Sequence, residues 1–155
     1  MKRYVTLFSC LLPLFFSGCS WVEHFSVGNL SDQEIYVTYR LADDSGGSFP
    51  IFEKNPTCYG ATSSKKIDWS KTISLQDLDD NEHIFRATIP PHSILIIGNL
   101  HNQNYTSHDQ EFFNGRVFNL EWIEIEVHEE AIHISKDTFD KNFTKKNGFI
   151  KFDVL

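Results

Sequence analysis

A chain of 155 residues with 21 Asp and Glu against 14 Lys and Arg has a formal net charge of −7. That excess repels a phosphate backbone, so nucleic acid is excluded as a partner, and adhesion to anionic lipid by charge alone is excluded with it. Three cysteines are too few for a tetrathiolate metal centre.

At the N-terminus, Lys2 and Arg3 form a short positive segment, and Val5 to Phe16 carry no charge. An apolar run of about a dozen residues matches the core of a secretory leader, whereas a membrane-spanning helix needs about 20. Phe16-Ser17-Gly18-Cys19 follows. Small residues just before a cysteine at the end of such a run resemble the lipobox of bacterial lipoproteins, with Phe16 in place of the usual Leu. The resemblance covers residues 1–20 only. It implies that residues 1–18 are removed as a signal peptide. It also implies that the Cys19 thiol takes a diacylglycerol, and that further acylation, as by palmitate, completes the anchor. A single acyl chain holds a protein only reversibly, so two or three chains are what make the attachment durable. Ser20 follows the cysteine, and in enterobacteria-like sorting a residue other than Asp there implies the outer membrane, facing the periplasm or the cell surface.

Loss of the leader removes Lys2 and Arg3 and no acidic residue, so the charge falls from −7 to about −9. The expected organisation is a lipidated tether over 19–26, ending in apolar Trp21, Val22 and Phe25, and one domain over 27–155. That length buries a real core. Of the 14 Phe residues only Phe8, Phe15 and Phe16 lie in the leader, so the domain keeps most of its aromatic bulk. Cys10 leaves with the leader and Cys19 carries lipid. Cys58 then stands alone in the chain, either buried or paired with another chain.

Along the domain the periodicity is that of strands. Gln33 to Leu41 alternates, with Ile35, Val37 and Tyr39 on one face. Asp43 to Ser48 is loop chemistry. Phe49 to Phe52 suits a short edge strand, because Pro50 cannot donate to a central ladder. Asn55-Pro56 and Tyr59-Gly60 read as turns, and Ile67 to Leu75 as extended chain. His83 to Ile89 is a strand stopped by Pro90-Pro91. Ser93 to Gly98 is a continuous apolar run suited to a strand buried on both sides. Asn99 to Gln110 is a long polar loop. Asn114-Gly115 signals a hairpin. Leu120 to Val127 alternates, with Glu124 and Glu126 outward; Glu129-Glu130 turns and Ala131 to Ile134 returns. Phe139 and Phe143 lie four apart, as in a helical turn or a bulged strand. Asn147-Gly148 turns into Phe149 to Leu155. About seven to nine short strands with no long helix predict an all-β, antiparallel two-sheet β-sandwich, Ig-like or similar, with a small β-barrel as the alternative.

Candidate chemistry is sparse. His128 and His133 lie five apart, whereas the H-E-x-x-H zinc motif needs a spacing of four on a helix face; across a hairpin they could approach each other near Glu126. Asp77, Asp79, Asp80, Asn81 and Glu82 cluster like calcium ligands, but the turn glycine and the final glutamate of an EF-hand are missing. No phosphate-binding glycine loop and no nucleophile elbow is present. The expectation is therefore no metal, no cofactor and no catalytic residue. Polar residues in a long loop on a rigid sandwich are the best place for recognition, which singles out His101, Tyr105, His108 and Asp109. The sequence thus points to a non-enzymatic envelope lipoprotein, partnered by the membrane through its lipid and by another envelope protein. The alternative is a ligand- or metal-binding module that uses the 99–110 loop or the acidic 77–82 loop.

Overall fold

A computed structural model describes residues 20–42, 49–75, 83–128 and 130–155. The leader, Cys19, residues 43–48, residues 76–82 with the acidic cluster, and Glu129 lie outside the described residues. Twelve strands are described: β1 (Val22–Asn29), β2 (Ile35–Leu41), β3 (Phe49–Pro50), β4 (Phe52–Ala61), β5 (Ile67–Ile73) and β6 (Ile84–Ile89), then β7 (Ser93–His101), β8 (Arg116–Val117), β9 (Leu120–Val127), β10 (Glu130–Ser135), β11 (Thr144–Lys146) and β12 (Phe149–Val154). One sheet has the order β11-β12-β1-β7-β4-β5, the second β10-β9-β2-β6, and β3 pairs with β8. The two larger sheets pack face to face as a β-sandwich and stay open at their edges, so no closed barrel forms among the described residues. Pairing is antiparallel except for β1–β12 and β3–β8, which are parallel.

Period-two patterning explains the inner faces. In β2, Ile35, Val37 and Tyr39 are fully buried while Tyr36 and Arg40 are exposed. In β9, Ile123 and Ile125 are inward and lie opposite Tyr39 and Val37. β7 is buried almost throughout and holds the middle of the six-stranded sheet. The core between the sheets is aromatic at one end. Phe25, Phe52, Phe118 and Phe139 lie with ring centroids 4.8–6.4 Å apart, mostly edge to face. Phe139 opens a four-residue helix, α1 (Phe139–Asn142), and Phe143 stacks on it at 4.1 Å, so the four-residue spacing is a helical turn.

Four expectations are corrected. The tether over 19–26 gives way to β1, which starts at Val22 and lies between β7 and β12; a glutamate on its inward face masked the alternation. Asn55-Pro56 is no turn. It sits in a bulge within β4, whose pairing to β7 jumps from Phe52↔Gly98 to Thr57↔Ile96, and the bulge accommodates a residue with no N–H. Tyr59-Gly60 likewise stays in β4 at a register shift; a Cβ on Gly60 would stand 2.6 Å from Lys71 Cδ, so the glycine serves close side-chain passage. Asn114 and Gly115 do take the left-handed backbone, with φ of 56° and 69°. Their flanks nevertheless do not pair with each other, because β8 pairs with Phe49–Pro50. By contrast, Asn147 and Gly148, at φ of 53° and 78°, join β11 and β12 as a two-residue hairpin.

Buried amides replace ladder bonds where strands end. Asn119 Oδ1 accepts from the Ile51 and Phe52 amides at 3.1 and 2.8 Å, and its Nδ2 donates to the Phe52 carbonyl at 3.0 Å. Asn29, fully buried, donates to the carbonyls of Gln33, Ile89 and Pro90 at 2.7–3.0 Å. Cys58 is buried at 1 % exposure, and burial pushes its thiol pKa up. Phe139→Ala would open a cavity beneath the ring cluster and cost about 3–5 kcal/mol. Urea denaturation with an unchanged m-value and a lower midpoint is the expected outcome; a loss under about 1 kcal/mol would show that the cluster collapses around the gap.

Candidate functional site

The polar loop after β7 is where recognition was expected. β7 runs on to His101, so the loop proper begins at Asn102. Inside it, side chains bond to the loop's own backbone. Gln103, 7 % exposed, accepts from the Phe113 amide at 2.9 Å and donates to the Glu111 carbonyl at 2.8 Å. Gln110 Oε1 accepts from the Thr106 hydroxyl at 2.9 Å and the Ser107 amide at 3.3 Å, and its Nε2 donates to the Asn104 carbonyl. The loop is a closed, internally bonded unit.

Two carboxylates from other elements fix it to the sandwich. Glu23 of β1, 4 % exposed, accepts from the Tyr105 amide at 2.6 Å and pairs with Lys145 of β11 at 2.7 Å. The Lys145 ammonium also donates to the Tyr105 carbonyl at 2.8 Å, so the pair grips both sides of that residue. Asp140 of α1 accepts from the Tyr105 hydroxyl at 2.5 Å, and its other oxygen accepts from the His108 amide at 3.1 Å and lies 2.7 Å from His108 Nδ1. Burial pushes Asp140 upward, but hydrogen bonds from Tyr105 and His108 outweigh it and hold the carboxyl below the usual range. Burial, then the Asp140 hydrogen bond, raises Tyr105 far above an ordinary tyrosine, so it stays a phenol.

Of the four residues singled out, Tyr105 and His108 meet on one carboxylate. Asp109 is exposed and accepts from the Ser107 hydroxyl, which lowers its pKa. His101 lies apart, exposed at the end of β7 opposite Val22. Sequence reading missed Glu23, Lys145 and Asp140. Only the Phe139/Phe143 spacing hinted that Asp140 belongs to an ordered turn. His133 is drawn to Glu124, with Nδ1 at 3.5 Å, and to the Trp122 ring; His128 takes φ 57° beyond the last rung, Glu130↔Val127, which is itself three rungs from His133. Among the described residues no three His, Cys, Asp or Glu side chains converge as metal ligands do.

Chemically, the cluster can hold a loop in one conformation and present the His108 ring, at 20 % side-chain exposure, with Nδ1 oriented by a carboxylate. Among the described residues the His108 side chain is hydrogen-bonded to the Asp140 carboxylate, and its Nε2 lies 4.0 Å from Asp137. A shallow open depression lies at the far end of the sandwich, lined by Leu30, Ala61, Thr62, Lys65 and His92. Comparison with known proteins returns no matching family model, no similar curated protein and no similar solved structure.

Glu23→Ala would strand the buried Tyr105 amide and cost about 2 kcal/mol, with Glu23→Gln costing less because an acceptor remains. Hydrogen exchange at Tyr105 should accelerate in the alanine variant; unchanged exchange would mean that Glu23 does not hold the loop. The two shifted groups set opposite pH limits. Asp140, depressed, contributes stability above the unfolded carboxylate value, and that contribution disappears as pH falls through its folded value. Tyr105, raised, contributes below its ordinary value of 10.0 and loses that contribution as pH rises above it. Melting curves of Asp140→Asn should therefore show a shallower acid decline, and those of Tyr105→Phe a shallower alkaline one; slopes identical to wild type would contradict this.

Proposed function

We propose that this chain is a lipid-anchored domain of a bacterial envelope, held through Cys19, that works by contacting another envelope protein and carries out no chemistry of its own. The observation that carries the reading is the join between leader and fold. A leader-like segment ends at Cys19, and β1 begins at Val22 in the middle of a sheet. A lipid on Cys19 would be attached almost directly to the sandwich, with no spacer to let the domain roam. Among the described residues no helix is long and apolar enough to cross a membrane, so attachment by lipid meets no competing helical span there.

The partner-binding part of the proposal rests on the sheet edges. β11 is three residues long and carries Lys145 and Lys146, and β5 is broken by a register shift beside Lys71; both are poor templates. β6 runs into Pro90-Pro91 and carries Arg86. β10 pairs with β9 in unbroken register from Glu130 to Ser135, contains no Lys or Pro, and leaves Ile132 39 % exposed. Its neighbours Glu124 and Glu126 would favour a basic extended segment as the added strand. The ligand-binding alternative is weakened because Tyr105 and His108 are engaged with Asp140.

Pull-down of the full lipidated chain from its own membranes tests this. Wild type is expected to bring a defined set of envelope proteins. Ile132→Lys should lose them while remaining in the membrane fraction, and Cys19→Ala should leave that fraction. An unchanged set with Ile132→Lys removes the edge, and a membrane-bound Cys19→Ala removes the anchor.

A further inference from the structure

Four of the eight exposed large apolar side chains among the described residues lie at one end of the sandwich. Phe49 and Phe113 are 63 % and 62 % exposed, Trp21 47 % and Val117 37 %. Backbone contacts bring them together. The Trp21 carbonyl accepts from the Asn102 amide at 3.0 Å, and the next residue, Gln103, accepts from the Phe113 amide. Gly115, two residues on, has its Cβ direction 4.0 Å from the Phe49 ring, and Pro50 pairs with Val117. Exposed aromatic rings on an acidic, water-facing domain are unfavourable unless something covers them.

The occupant follows from the chain's own start. Cys19 precedes Trp21 by two residues, a reach of roughly 7 Å. Acyl chains on Cys19 therefore enter a bilayer beside this end and no other. The C-terminal residue is carried to the opposite end, since Val154 pairs with Asn29 at the far end of β1. Resting on the lipid-anchor reading above, we infer that Trp21, Phe49, Phe113 and Val117 form a membrane-docking tip that inserts into the headgroup–acyl boundary and sets the domain upright. Tryptophan favours that boundary, phenylalanine reaches beneath it, and half-buried Arg116 at the same end suits lipid phosphate. A second copy would instead leave the rings facing sideways from two anchored chains, and the charge of about −9 on each mature chain opposes that pairing.

The test uses the full lipidated protein in vesicles of phosphatidylethanolamine and phosphatidylglycerol. A spin label is placed at Val117→Cys or, at the far end, at Thr62→Cys; Cys58 is buried and does not compete. Lipid on Cys19 is read separately by mass. Docking predicts a several-fold higher ratio of oxygen to nickel-chelate accessibility at position 117 than at 62, lost when Phe49→Ser and Phe113→Ser are added. Equal, water-like ratios on a lipidated protein overturn the tip and leave the anchor standing. Dipolar coupling between labels at 117 assigns the patch to a second copy and overturns it as well. A chain without lipid on Cys19 overturns both readings.

Discussion

Everything in the sandwich is arranged around the first strand. β1 is held between β7 and β12, and its inward row, Glu23, Phe25, Val27 and Asn29, touches each part of the fold in turn. Phe25 contacts the rings of Phe52, Tyr105, Phe118 and Phe139. Glu23 reaches the loop after β7, and Asn29 caps the chain reversals at Gln33 and Pro90. Because β12 pairs with β1 in parallel, the domain closes only when its two ends have met. This is a long-range contact, and β12 in turn is the strand on which β11 pairs.

The same strand relates order to attachment. On the lipid-anchor proposal, a strand beginning at Val22 within the sheet leaves only two residues between Cys19 and the sandwich. The loop at that end is rigid for a related reason. Its amides and carbonyls bond to Gln103 and Gln110, and its centre is gripped by Glu23, Lys145 and Asp140. Buried polar groups strengthen a structure only when all are satisfied, and no described buried side-chain polar atom lacks a partner. Each of these bonds lowers the conformational freedom of the loop.

The edges show the opposite economy. Lys145 and Lys146 guard one side of the larger sheet, and the irregular β4–β5 pairing blunts the other. The smaller sheet leaves β10 regular and uncovered among the described residues.

Local pattern alone determined β2, β7, β9 and β12, because inward and outward positions alternate within a few residues and need no knowledge of partners. It also marked the Asn147-Gly148 reversal and the Phe139–Phe143 turn, and it named Tyr105 and His108. It could not reveal what they bond to. Glu23 lies 82 residues from Tyr105, and Asp140 lies 32 from His108; a lone carboxylate in a polar stretch carries no sign of burial. Tertiary structure decided that β1 is a strand, that Pro56 sits in a bulge and that the rings at 21, 49 and 113 share one end. Each outcome depends on pairing between distant segments. Side-chain alternation is a property of neighbouring residues, whereas register, burial of charge and the meeting of distant loops exist only once the sheets have packed.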